Sequence, residues 1–166
     1  MQVSQLKILD NSKSTKIAIV SNCLSRPIEI LLVEDSLIDI KVIAKVFEQV
    51  ATPHSLKVVR DGVAAIAYLC QQGEYLSYPK PDLILLDLHL PRKNGLAVLE
   101  AIKSDERFAD IPVIMLTVSG DQQDIAECYQ RDANCYLTKP SNLQEFEQLV
   151  QIIQDFWLQM VQLPMT

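Results

Sequence analysis

The sequence has no CxxC pair, no histidine at metal-ligand spacing from a cysteine, and no apolar run approaching the ~20 residues of a membrane span. Each absence removes a class of protein. Cys23, Cys70, Cys128 and Cys135 are too scattered for a zinc site or a redox dithiol, and the chain is too long for a small disulfide scaffold. Free thiols in a reducing cytoplasm are expected. Positive charge is also in short supply: 15 Lys and Arg against 21 Asp and Glu give a net charge of −6, a surface that repels polyphosphate and argues against a nucleic-acid partner. At the N-terminus, the short apolar stretch Ile17 to Val20 lies behind Asp10, Asn11 and Ser12, unlike a secretory leader. The expectation is a cytoplasmic protein with no membrane and no nucleic-acid contact.

What the sequence does have is apolar content, 49% of 166 residues, enough for one domain with a full core and too little chain for two ordinary ones. Residues 1–27 show no sustained period and end at Pro27, so they read as an N-terminal extension. Residues 28–166 read as the domain, including a long C-terminal helix and tail. Ile28–Val33, Leu56–Arg60, Leu83–Leu86, Val113–Leu116 and Cys135–Thr138 are apolar runs of strand length, each followed by helical spacing. Ser36 with Asp39 opens the first helix as N-cap and N3, followed by Val42, Ile43, Val46, Phe47 and Val50 on one stripe. Asp121 with Asp124 opens the fourth, and Leu96, Leu99 and Ile102 give the third an inward face.

Alternation of this kind implies parallel strands with right-handed crossovers, and the Leu, Ile and Val purity of the first and third strands marks them as central. The expected architecture is α/β, a five-stranded doubly wound parallel sheet of flavodoxin-like order 2-1-3-4-5 with five helices. In such sheets ligands bind beyond the strands' carboxyl ends, where this chain carries Glu34, Asp35 and Asp87. Three converging carboxylates repel one another unless a cation compensates, and an all-oxygen donor set suits Mg2+. The loop Glu34-Asp35-Ser36 lacks the Gly, Ser and Thr backbone cradle of a nucleotide or flavin phosphate site, so phosphate could approach only together with metal.

The segments Leu31-Leu32-Val33-Glu34-Asp35, Asp82 through Pro91 with Gly95 eight past Asp87, Pro112 through Thr117, and Tyr136-Leu137-Thr138-Lys139-Pro140 together resemble the response-regulator receiver signature over roughly 28–161. The resemblance implies Asp87 as phosphoacceptor, with Asp35, Asp87 and the backbone carbonyl of His89 as Mg2+ ligands and Glu34 acting through metal-bound water. It also implies a Thr117 hydroxyl and a Lys139 ammonium that engage the phosphoryl group, a Tyr136 switch, and a cis Lys139-Pro140 peptide. The His89 ring, with Ser119, is expected to influence access of hydrolytic water. Gly95 serves either a left-handed turn or loop flexibility. A departure occurs at Arg131-Asp132-Ala133-Asn134, where the family often has glycine; Asp132 or Asn134 can tolerate positive φ, so the turn and not the chemistry is in question there.

Finer similarity lies in Thr52-Pro53-His54, Arg60-Asp61-Gly62 with Tyr68-Leu69, Gly73-Glu74-Tyr75, Asn134-Cys135-Tyr136 and Phe156-Trp157-Leu158 running to Leu163-Pro164. Together these resemble the single-domain response regulators of cyanobacterial phytochromes. The implied partners are a sensor histidine kinase, in particular a phytochrome, and a downstream phosphotransfer or target protein. The implied role is a signalling receiver, not an enzyme beyond its own aspartyl phosphorylation and dephosphorylation. An alternative is a haloacid-dehalogenase-like aspartyl-phosphate hydrolase, but that chemistry needs a second Asp two residues past the nucleophile, where His89 stands. A phosphorylation-independent interaction domain would have no use for the acids, Thr117 and Lys139 together. In the last helix Phe146, Val150, Ile153 and Trp157 form a sheet-facing stripe, and Leu149, Ile152, Phe156 and Met160 beside it widen the apolar arc. That second stripe predicts a homodimer, with burial under the N-terminal extension as the alternative.

Overall fold

A computed structural model describes residues 26–164. The strands are β1 (Ile28–Val33), β2 (His54–Val59), β3 (Leu83–Leu86), β4 (Val113–Thr117) and β5 (Cys135–Thr138), and the helices are α1 (Leu37–Phe47), α2 (Gly62–Leu69), α3 (Gly95–Lys103), α4 (Gln122–Gln130) and α5 (Leu143–Gln154). All strand pairs are parallel, in the order β2-β1-β3-β4-β5. This is the flavodoxin-like architecture expected from the alternation. The reading of residues 1–27 as an extension falls almost wholly outside the described residues.

Burial follows composition. Every residue of β3 and β4 is buried, whereas β2 at the sheet edge is half-buried along most of its length and starts two residues earlier than its apolar run, pairing Ile28 with His54. One core, with Leu31, Val33, Ile84 and Leu86, lies under α2, α3 and α4; the other, with Ile30, Leu32, Leu83 and Leu85, lies under α1 and α5. Alternate residues of each strand thus feed opposite layers. At the amino ends of the strands Asp82, its side chain fully buried, accepts two 2.7 Å hydrogen bonds from Arg26 and one of 2.9 Å from the Glu29 backbone. Those bonds offset the cost of burying the carboxylate.

Local capping explains the helix starts. Ser36, Asp61, Asn94, Asp121 and Asn142 each stand in extended backbone and accept a hydrogen bond from an N–H of the first turn. Val42, Ile43, Val46 and Phe47 of α1 are buried as their spacing predicts, and Leu99 and Ile102 of α3 likewise, while Leu96 is only half-buried. The last helix departs from expectation: α5 passes into a π-helical stretch over Asp155–Met160. A π turn takes one residue more than an α turn, so the inward register slips. Leu158 becomes the buried successor of Ile153, and Trp157 is left half-buried at the rim.

Among the described residues no helix is long and apolar enough to cross a membrane. The thiols of Cys70, Cys128 and Cys135 are free. Burial pushes the Cys128 thiol up to about 11, so it stays protonated and inert.

Candidate functional site

Hydrogen bonds of the central strands bring the acids together. The Glu34 N–H donates to the Val59 carbonyl at 3.0 Å, and the Asp87 N–H donates to that of Val33 at 3.0 Å, so β1 and β3 end side by side at the switch point. Glu34 and Asp87 are buried and Asp35 is half-buried. One oxygen from each of the three lies within 4.8 Å of the others, a spacing that a single hard cation could span. Burial raises the Glu34 carboxyl above the usual range; the Lys139 hydrogen bond and charge oppose this, and the neighbouring Asp87 charge adds to it.

Lys139 enters from the end of β5, where its N–H donates to the Thr117 carbonyl at 2.6 Å. Its ammonium lies 2.5 Å from Glu34 Oε2, 2.8 Å from Asp39 Oδ2 and 3.3 Å from Asp87 Oδ2. Burial alone would lower its proton affinity, but the bonds to Asp39 and Glu34 and the charges of Asp87 and Glu34 together hold it above the ordinary lysine value. The site therefore carries an internal cation beside three converging carboxylates, an all-oxygen donor set that fits a divalent metal. No cis peptide occurs among the described residues, so Lys139-Pro140 is trans, contrary to expectation, and the long lysine stem still reaches inward.

Thr117 is fully buried at the end of β4, and its Oγ1 accepts from the Ser119 N–H at 3.4 Å. The following loop is tied to both β5 and α4. Tyr136 Oη and Thr138 Oγ1 donate to the Ser119 carbonyl at 3.0 and 3.4 Å, and Ser119 Oγ donates to Asp124 at 2.5 Å. The half-buried Tyr136 is thus engaged with the Thr117 loop. His89 is exposed, and its N–H donates to Asp87 Oδ1 at 3.3 Å.

Gly95 does not have positive φ. Instead, a Cβ there would run into the Asp87 carbonyl and the Leu88 backbone, while its N–H donates to Leu88 O at 2.8 Å. Glycine is needed for close approach, not for a left-handed turn. Asp132 does take φ 60°, filling the place of the missing glycine.

Three site neighbours escaped the sequence reading. Asp39 was legible only as a helix N3 residue, although that turn sits over the carboxyl end of β1. Arg60 donates to the Asp35 carbonyl at 3.0 Å. Arg92 pairs with Asp61, tying the β2–α2 turn to the loop after Asp87. The proposed dimer residues split. Ile152, Phe156 and Met160 are exposed at 64%, 47% and 57%, but Leu149 is half-buried against the core.

The profile of the response regulator receiver domain matches residues 30–151. The chain belongs to the response regulator receiver family. The response regulator Rcp1 of Synechocystis is 47% identical over 138 residues, covering 83% of this receiver and 94% of its relative. A crystal structure of the Mn2+-bound form of Rcp1 superposes with a TM-score of 0.82, covering 84% of this receiver and 100% of that chain. The phosphorylated cyanobacterial phytochrome response regulator RcpA, 45% identical, gives the same TM-score over 84% of this receiver and 99% of its own chain. The receiver is thus a signalling domain homologous to cyanobacterial phytochrome response regulators, and the haloacid-dehalogenase alternative finds no support in these matches.

Proposed function

We propose that this receiver takes a phosphoryl group onto Asp87 from the phosphohistidine of a phytochrome-type sensor kinase and signals by altered protein contacts. The observation that carries this reading is the convergence of Glu34, Asp35 and Asp87 around a buried Lys139, in a chain related to Rcp1 and RcpA over most of its length. Asp35, Asp87 and the His89 carbonyl would hold Mg2+, with Glu34 acting through a bound water. Bound there, the metal would supply positive charge against the phosphoryl oxygens.

In that transfer a carboxylate oxygen of Asp87 forms the new O–P bond as the N–P bond to the kinase histidine breaks, the imidazole keeping the electron pair. A carboxylate nucleophile has no proton to lose in this step, so no general base is called for. Lys139 pairs with the phosphoryl oxygens, and the Thr117 hydroxyl donates a hydrogen bond to them. Movement of Thr117 loosens the Ser119 loop and with it the Tyr136 contact, carrying the change to the β4–β5 side of the domain. Chemistry ends with loss of the phosphoryl group to water from the receiver's own aspartate, with no turnover of an external substrate.

The free thiols support a cytoplasmic setting. The exposed strip Ile152, Phe156 and Met160 supports a twofold homodimer, the commonest way to cover such a surface, leaving the α4 side for a downstream phosphotransfer or target protein. Phosphotransfer profiling tests the kinase assignment. An autophosphorylated cyanobacterial phytochrome kinase should label this receiver faster than unrelated kinases do, and equal rates from all kinases would contradict it.

A further inference from the structure

Lys139 makes one contact that the proposed chemistry does not use. Its ammonium is bonded not only to the acids of the crevice but also, at 2.8 Å, to Asp39 Oδ2 on the first turn of α1, a shorter distance than the 3.3 Å to Asp87 Oδ2. The Asp39 side chain is 21% exposed and the lysine's 3%, so the pair is closed off from most competing water. Among the described residues the Asp39 carboxylate makes no other hydrogen bond, and its backbone N–H donates to the Ser36 Oγ cap. Its carboxylate is therefore committed to the lysine.

We infer that Asp39 is a positioning residue that holds Lys139 back in the resting receiver, so that phosphorylation must draw the ammonium away from α1. The inference rests on the proposed role of Lys139. An incoming phosphoryl group takes over the 3.3 Å contact to Asp87 and brings more anionic oxygens than that carboxylate had, so the ammonium can turn fully toward it only by loosening Glu34 or Asp39. Glu34 holds the lysine at 2.5 Å with 1% side-chain exposure, whereas Asp39 is the longer and more exposed of the two contacts and sits at a helix N-terminus that tolerates a free carboxylate. Asp39 is thus the partner most cheaply given up. Its pull sets a threshold for activation, and it links the occupancy of Asp87 to the first turn of α1, where Leu37 and Ile38 stand exposed at 57% and 72%.

The test uses the full chain with saturating Mg2+ and beryllofluoride as phosphoryl mimic, with affinity read by titration calorimetry. Asp39→Asn keeps the shape and removes the charge, and should bind beryllofluoride roughly tenfold more tightly than wild type, the scale of one charge-assisted hydrogen bond. In a Lys139→Met background the same change should alter affinity less than twofold, because no ammonium remains to be held. Asp39→Glu, whose carboxylate still reaches the lysine, should behave like wild type and supplies the independent arm if Lys139→Met does not fold. An unchanged affinity in Asp39→Asn, an equal gain in both backgrounds, or an Asp39→Glu protein behaving like Asp39→Asn would overturn the inference. If wild type itself fails to bind the mimic, the phosphoacceptor reading fails first, which keeps the two failures distinct.

Discussion

Lys139 and Glu34 form a contact of 2.5 Å between side chains that are 3% and 1% exposed, joining the end of β5 to the end of β1 across the whole crevice. Breaking such a pair from one side strands a buried charge, at a cost of about 3–5 kcal/mol. The lysine is the counter-ion of these acids, and under the proposed function it would also be the ligand for an arriving phosphoryl anion.

Lys139→Met should therefore lower the thermal midpoint of the metal-free protein, and Mg2+ should recover part of the loss by supplying the missing positive charge. The variant should also bind Mg2+ more tightly than wild type, since a competing cation has gone. Beryllofluoride should no longer shift its affinity for a partner. Thermal melts with and without Mg2+ check the first two statements, and an unchanged midpoint would mean that the ion pair contributes nothing.

Thr117→Ala tests the second phosphoryl contact. The side chain is buried with a single weak bond from the Ser119 N–H, so its loss should be tolerated in the fold. The partner-affinity shift produced by beryllofluoride should shrink by up to roughly 1.5–3 kcal/mol, the value of one hydrogen bond to a charged group. Calorimetry against the partner measures it; a full-sized shift in the variant would remove Thr117 from the switch.

A pH prediction comes from the opposite layer. Burial pushes the Tyr68 phenol up to about 12 from 10, so between those values the unfolded chain has released a proton that the folded protein retains. Folding stability must then fall as pH rises through that window. At pH 11 the tyrosine should account for about 1 kcal/mol of lost stability, which Tyr68→Phe abolishes while leaving the other alkaline losses in place. Urea melts of both proteins at pH 9 and pH 11 decide it, and identical losses would show that the phenol is not protected.

Phe156→Glu addresses the C-terminal surface. Because Phe156 is 47% exposed and remote from the crevice, the variant should fold, sediment as a monomer and still accept a phosphoryl group. A wild-type protein that is already monomeric at high micromolar concentration, with and without beryllofluoride, would refute the dimer.

Which parts were legible in the sequence follows from which interactions are local. Strand and helix order, the caps at Ser36 and Asp121, and the two-sided burial of β3 all depend on period and composition over a few residues. The convergence of Glu34, Asp35 and Asp87 was visible because the sheet topology brings strand ends together. What escaped depends on side-chain reach across elements: Asp39 touching Lys139, Arg92 touching Asp61, and Gly95 closing against Asp87. The π-helical stretch escaped for another reason. A single added residue per turn leaves no mark on the apolar pattern of Phe146, Val150 and Ile153, yet it exchanges Trp157 for Leu158 in the core.

The central claim is that Asp87 is the phosphoacceptor. Its most direct test is to phosphorylate the receiver with a cognate kinase and Mg2+, reduce the acyl phosphate with borohydride, and locate the modified residue by peptide mass spectrometry. The account predicts modification at Asp87 alone, lost in Asp87→Asn and strongly diminished in Asp35→Asn. Label on any other residue, or label retained by Asp87→Asn, would contradict it.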